Sequence, residues 1–229
     1  LGAHHVLARW RGKQVGGIGL SALEAGRRDR AAEARDVLLQ VLFKRVRTGT
    51  ALLSEKRNGE MVDLVGPLGR EFTYDFSLFV VMIAGGYGLA PLYFMAKLNK
   101  SNHNRTTLIY GARSEDLLYL KDELRSIFNE VIYTTEDGSL GQKGRVTDPL
   151  RDLLVSRTNF TVYACGPTPM LAAVQRTVEE APEQGVPCWV SMENQMGCGI
   201  GACLGCVIKT KEGYKTTCKA GPIFDGYEV

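Results

Sequence analysis

From about residue 76 the apolar positions alternate between two rhythms, and the alternation predicts an architecture. SLFVVMIAGG is an unbroken apolar run of strand length, as expected for a strand buried on both faces. LAPLYFMAKLNK has helical spacing, with Pro91 tolerated in the first turn. TTLIYGA predicts a second strand, SEDLLYLKDELRSIF a single helix with Ser114 as N-cap, and EVIYTT a third strand. TDPLRDLLVSR predicts a helix capped by Thr147, and NFTVYACG a fourth strand. TPMLAAVQRTVEEA predicts a helix capped by Thr168, and VPCWVSM a fifth strand. Strands and helices in strict alternation specify an α/β doubly wound parallel sheet of five strands.

The texture upstream is different. LLQVLFKRV and MVDLVGP read as strands, with Thr50 as an N-cap for ALLSEKR between them and Gly66-Pro67-Leu68-Gly69 as a plain turn between domains. Residues 1–38 carry six Arg, one Lys and a single aromatic, Trp10, without alternation, so no strand is expected there.

Composition narrows the class. A hydrophobic share of 45% beside 23% charged residues is ordinary for a globular chain, and 229 residues suffice for two modest domains and an appendage. A net charge of +3 is too mild to indicate nucleic-acid binding. The longest apolar run, Phe76 to Ala84, is too short to span a bilayer, and no basic-then-apolar leader opens the chain, which points to a cytoplasmic protein. All six cysteines lie from Cys165 onward. In a reducing compartment such clustering indicates metal ligation before disulfides.

Three segments carry chemistry. Gly85-Gly86-Tyr87-Gly88 follows the first strand and opens a helix, where glycines let the backbone approach a pyrophosphate at the positive helix end. A ligand-free tight turn is the plain alternative. Cys165-Gly166-Pro167 ends the fourth strand at the same sheet edge, so Cys165 is placed to face a nicotinamide, whereas Cys188 inside an apolar strand reads as core. Cys198, Cys203 and Cys206 follow the C-x4-C-x2-C spacing of plant-type [2Fe-2S] sites, and Cys218 supplies a fourth thiolate. Zinc also accepts four thiolates, but its sites more often pair two knuckles than place three ligands in one loop.

The segments VLFKRVRTGTALLSEKRNGEMVDLVGPLG, IAGGYGLAPLY, EDGSLGQKGRVTD, YACGPTPML and MGCGIGACLGCVIK…CKAGPIFD, in that order, resemble the electron-transfer subunit of NAD-linked (type B) dihydroorotate dehydrogenase, within the ferredoxin–NADP reductase superfamily. The resemblance covers about residues 39–229. It implies a partial flavin-binding β-barrel before the sheet and a small [2Fe-2S] domain after it. The implied boundaries are 1–74 for FAD, 75–188 for NAD and 189–229 for the cluster. It implies that Leu42, Phe43 and Lys44 line the flavin and that Gly49 and Thr50 meet its phosphates, while the two glycine-bearing turns at the sheet edge place NAD against Gly85, Gly86, Gly88, Gly166 and Pro167. The implied partner is a catalytic, FMN-containing dihydroorotate dehydrogenase subunit, two of each forming a heterotetramer in pyrimidine biosynthesis.

The family's Arg-Pro-x-Ser flavin stretch has no counterpart near Ala25-Gly26-Arg27-Arg28, and the composition of residues 1–38 is that of an out-of-frame reading, so weak FAD binding is expected of this chain. The sequence offers both Arg113, for a 2′-phosphate, and Glu115, for a ribose hydroxyl, while the family favours NAD over NADP.

Overall fold

The computed structural model describes residues 4–10, 20–24, 37–43, 45, 48–63, 68–73, 78–98 and 105–229. Three strands open it. His4–Trp10 (β1) and Leu20–Glu24 (β2) both run antiparallel to Val37–Phe43 (β3), with β3 in the middle. The expectation that residues 1–38 form no strand is therefore corrected. Backbone pairing to the apolar VLLQVLF strand needs no alternation in its partners, so tertiary context overrides the weak local signal. The Ala25–Arg28 segment lies outside the described residues.

Thr48–Ser54 (α1) begins three residues before Ala51, so Thr50 sits inside the helix rather than ahead of it. Met61–Asp63 belongs to no strand, and the remainder of MVDLVGP lies outside the described residues.

The main sheet gathers Phe79–Gly85 (β4), Thr106–Ala112 (β5), Glu130–Thr135 (β6), Gln142–Lys143 (β7), Phe160–Cys165 (β8), Cys188–Ser191 (β9) and Ile223–Asp225 (β12). Its order is β12-β9-β8-β4-β5-β6-β7, parallel throughout except for β12. The five expected strands are its centre, and two short edge strands complete it. The chain moves outward on one side through β5 and β6, then returns to the other side of β4 through β8 and β9. That reversal opens a crevice at the carboxyl ends of β4 and β8.

Alternation along β4 divides the core. Val80, Met82 and Ala84 face one layer with Leu89, Leu92, Tyr110 and Phe128, while Val81 and Ile83 face the other with Ile109, Leu150, Val162 and Val174. Leu89–Leu98 (α2), Lys121–Leu124 (α3), Thr147–Ser156 (α4) and Thr168–Glu179 (α5) cover the sheet.

The single helix expected over 114–128 is broken into a 3-10 turn, Glu115–Leu117, and the short α3. Leu118 and Leu124 are both buried, and the Tyr119 N–H donates to the Tyr110 hydroxyl at 3.0 Å. Reaching both contacts takes Leu120 through a left-handed φ of 57°. Ser114 caps nothing and donates instead to Asp116. Thr147 and Thr168 are the first helical residues rather than caps. Ahead of α4 the Asp148 carboxylate reaches back to accept the Arg145 N–H at 2.8 Å.

Beyond β9 lies a hairpin of Val207–Thr210 (β10) and Gly213–Thr216 (β11), after which β12 rejoins the sheet. The boundary drawn at 188/189 thus falls within β9, and the portion standing outside the sheet is 192–222. No helix of the described residues is long and apolar enough to cross a membrane.

Candidate functional site

The glycines at the crevice have different jobs. A Cβ on Gly88 would lie 2.3 Å from the Cys165 carbonyl oxygen, and one on Gly85 would lie 2.6 Å from Met170 Sδ. A Cβ on Gly166 would meet Met170 and the Gly85 backbone. These three glycines let the β4 and β8 turns pack together. Gly86 differs: its φ is +55° and nothing lies within 4 Å of its Cβ position, so it is the glycine that fronts open space. Pro167 packs against the same turn, where its ring would oppose any Cβ on Gly85.

Cys165 is buried at the end of β8. Burial, with the negative charge of Glu193 adding to it, pushes its thiol up to about 12 against the pull of a hydrogen bond with Ser191. Cys165 is therefore a neutral thiol at physiological pH. Tyr87 is held up by burial and by Glu193 and Cys165, and the Glu193 carboxyl is raised by its partial burial. Glu193 was not singled out on sequence grounds. The parallel register Cys165↔Ser191 brings it here, and its place just past the fifth strand was the one available signal. Cys188 is core, as expected.

Past β5, Glu115 is already committed: its carboxylate pairs with Lys121 at 2.6 Å and its N–H donates to Ser139 at 2.8 Å. Arg113 is exposed at the same edge. On the flavin side, Leu42 is buried, Phe43 is half-buried, and Gly49 has open space at its Cβ position. Lys44 lies outside the described residues.

The four cluster candidates are drawn together in two pairs. The Cys203 N–H donates to Cys198 Sγ at 3.4 Å, and the Gly205 N–H donates to Cys203 Sγ at 3.4 Å. Cys206 and Cys218, both buried, share a hydrogen bond between their thiols. Backbone N–H groups of Cys203, Ile200 and Ala202, with the Cys203 thiol, lower Cys198 to about 6. Burial opposes the shift at Cys206, but bonds from Cys218 and Thr217 outweigh it and hold that thiol low, while Cys218 is raised by Cys206.

No three His, Cys, Asp or Glu side chains among the described residues are gathered tightly enough to hold a single metal ion. The loop nevertheless suits a wider sulfur-bound group. Cβ atoms on Gly197 and Gly205 would sit 3.2 and 3.4 Å from Cys203 Sγ, so these positions admit backbone N–H groups beside the sulfur and little else. Four thiols with amides aimed at them fit an iron–sulfur cluster.

Comparison with known proteins agrees. Residues 193–229 match the iron–sulfur cluster binding domain of dihydroorotate dehydrogenase B, and residues 82–176 match the oxidoreductase NAD-binding domain. The dihydroorotate dehydrogenase B (NAD+) electron transfer subunit of Geobacillus sp. (strain WCH70) is 38% identical over 82% of this chain and 73% of its own. That of Clostridium perfringens (strain 13 / Type A) is 38% identical over 83% and 75%. Among solved structures, an NADH-dependent reduced ferredoxin–NADP oxidoreductase is 36% identical with a TM-score of 0.75, covering 85% of this chain and 69% of that one. The Amycolatopsis cytochrome P450 reductase GcoB shares the fold at 23% identity and a TM-score of 0.59, over 76% and 60%.

Proposed function

The chain belongs to the family of dihydroorotate dehydrogenase B electron transfer subunits, and on that premise we propose that it takes electrons from a separate dihydroorotate-oxidising subunit and delivers them to NAD+ in pyrimidine biosynthesis. One observation carries the reading. The sulfur cradle begins directly after β9, whose Ser191 stands beside Cys165 at the nucleotide crevice. Both ends of an electron path are thus built on one short stretch of chain.

The residue assignments follow. Cys198, Cys203, Cys206 and Cys218 hold a [2Fe-2S] cluster, and Leu42, Phe43, Lys44, Gly49 and Thr50 front the FAD. Bound there, the cluster carries single electrons and the FAD pairs them into hydride. Gly86 leaves room for the pyrophosphate, while Gly85, Gly88, Gly166 and Pro167 hold the two turns that frame it. The neutral Cys165 thiol offers the nicotinamide an uncharged surface, and Glu193 at the mouth favours the positively charged oxidised ring. We divide the chain into a flavin part, 1–74, a nucleotide part, 75–188, and a cluster part, 189–229, and place it in the reducing cytosol, which keeps its six cysteines out of disulfides. The partner is the FMN-containing catalytic subunit, in a heterotetramer of two of each.

The experiment is anaerobic purification with and without that partner. About two iron and two sulfide per chain are expected, with NAD+ reduction by dihydroorotate only when the partner is present. Stoichiometric zinc without sulfide overturns the cluster. FAD content in the same preparation decides whether residues 1–38, with β1 and β2 in place, support the flavin.

A second reading has one observation in its favour, the 36% identity to the NADH-dependent reduced ferredoxin–NADP oxidoreductase. It makes the chain the reductase subunit of a different complex, such as a sulfide dehydrogenase or hydrogenase. Reduction of NAD+ with sulfide or hydrogen, and none with dihydroorotate, would select it.

A further inference from the structure

The Leu68–Thr73 segment, at the end of what reads as a plain turn, touches three separate parts of the molecule. Its downstream end is fixed to the sheet. Phe72 is buried edge-on against the Tyr163 ring, with centroids 5.6 Å apart and planes at 87°, and the Tyr163 hydroxyl donates to the Thr73 carbonyl at 3.2 Å. In the middle, the Arg70 N–H donates to the Gly221 carbonyl at 2.6 Å, and Arg70 bridges Pro222. Gly69 passes so close at φ +71° that a Cβ there would lie 2.2 Å from the Gly221 oxygen. At its upstream end Leu68 lies against the cysteine loop: its Cδ1 is 3.0 Å from where a Cβ on the buried Gly199 would stand.

These contacts fall on both arms of the sulfur cradle. Gly199 directly follows Cys198, and Gly221 comes three residues after Cys218. A clamp rooted in the nucleotide sheet therefore grips the first and last thiols' arms from the side. We propose that Leu68 is a positioning residue for the cluster, covering the Gly199 face with hydrocarbon and keeping water from that side while Gly69 and Arg70 hold the opposite arm. The inference rests on the assignment of Cys198, Cys203, Cys206 and Cys218 as cluster ligands.

Solvent access is one of the levers on an iron–sulfur potential, because water stabilises the more negatively charged reduced state. Leu68 thus holds the one-electron couple lower than an open loop would.

The test is redox titration of the anaerobically purified full chain, followed by the electron paramagnetic resonance signal of the reduced cluster. Leu68→Ser is expected to raise the midpoint potential, changing the oxidised-to-reduced ratio at a fixed ambient potential by about tenfold, or 59 mV for one electron. Leu68→Ala should move it the same way by less, and carries the test if the serine variant loses iron. Leu68→Ile should stay within about twofold of the parent. Leu52→Ser, which removes an exposed leucine from α1 at 60% exposure, should change nothing. An unchanged or lowered potential in both Leu68→Ser and Leu68→Ala, or an equal rise in Leu52→Ser, overturns the proposal while leaving the cluster assignment intact. A parent chain with no iron or sulfide overturns the assignment itself, and this inference with it.

Discussion

The nucleotide sheet and the cysteine arm are held together by different physics. In the sheet, Val80, Met82, Ile83 and Ala84 are fully buried, and both faces are packed by helices. Val80, Met82 and Ile83 each contribute about 1.5–3 kcal/mol of burial free energy, so the sheet stands on its own hydrophobic core. Between 193 and 222 only Ile208 and Ala220 join either core, and both are partly exposed. Ile200 and Leu204 stand 65% and 63% in solvent. What orders that arm is a short hairpin, hydrogen bonds to sulfur and the grip of residues 68–70. A region with so little apolar burial depends on its ligand for order, as small metal-bound domains do.

The sharpest way to break that contrast is Cys206→Ser. It removes a buried thiol from the Cys206–Cys218 pair and with it the cluster, so bound iron and sulfide and the cluster's share of the visible absorption should disappear. Hydrogen exchange should then quicken across 192–222 while amides of β4, β5 and β8 stay protected. Loss of protection in the sheet as well would show that the two regions fold as one unit.

The converse change is Leu150→Ala, which empties a fully buried site in the layer beneath α4. It should cost about 2–5 kcal/mol in denaturant unfolding and leave the visible spectrum of the folded protein unaltered. A changed spectrum at equal occupancy would mean that sheet packing reaches the cluster.

The same contrast explains what was legible in the sequence. Central strands such as VVMIA announce themselves because burial on both faces demands an apolar run, and all five were readable. The cysteine spacing was equally explicit, since ligand geometry is written in intervals. The edge strands β7 and β12 have two and three residues and no pattern to detect. The break after Leu117 was hidden because the segment has helical composition, and its conformation is decided by Tyr110, which lies outside it. Glu193 and Leu68 were missed for a related reason: their roles come from strand register and from a contact 131 positions along the chain, at Gly199.

Within the crevice, two glycines separate packing from ligand access. Gly88→Val forces a side chain onto the Cys165 backbone, so it should cost about 1–3 kcal/mol of stability and weaken NADH binding together. Gly86→Ala meets no neighbour and bears only the strain of its positive φ, about 1–2 kcal/mol, so NADH affinity should fall by more than that stability loss predicts. Equal effects of the two changes on melting temperature and on affinity would mean that Gly86 does not front the nucleotide.

The smallest expected effect is alkaline, and it belongs to the sheet alone. Burial pushes the thiols of Cys165 and Cys188 up to about 12 from an ordinary 9.0, so both stay protonated in the fold when the unfolded chain has already ionised them. Between those values the unfolded state binds fewer protons than the folded state, and stability falls as pH rises. The decline begins near pH 9 and runs toward 12, with Tyr110, also raised by burial from 10.0, adding in the same direction. The melting temperature should therefore drop between pH 8.5 and pH 10.5. Cys165→Ala combined with Cys188→Ala lowers stability at every pH through lost packing but removes two of the titrating groups, so its slope over that interval should be shallower than the parent's. Identical slopes would mean that the two thiols titrate normally in the fold, and that Cys165 presents a thiolate rather than a neutral surface to the nucleotide at high pH.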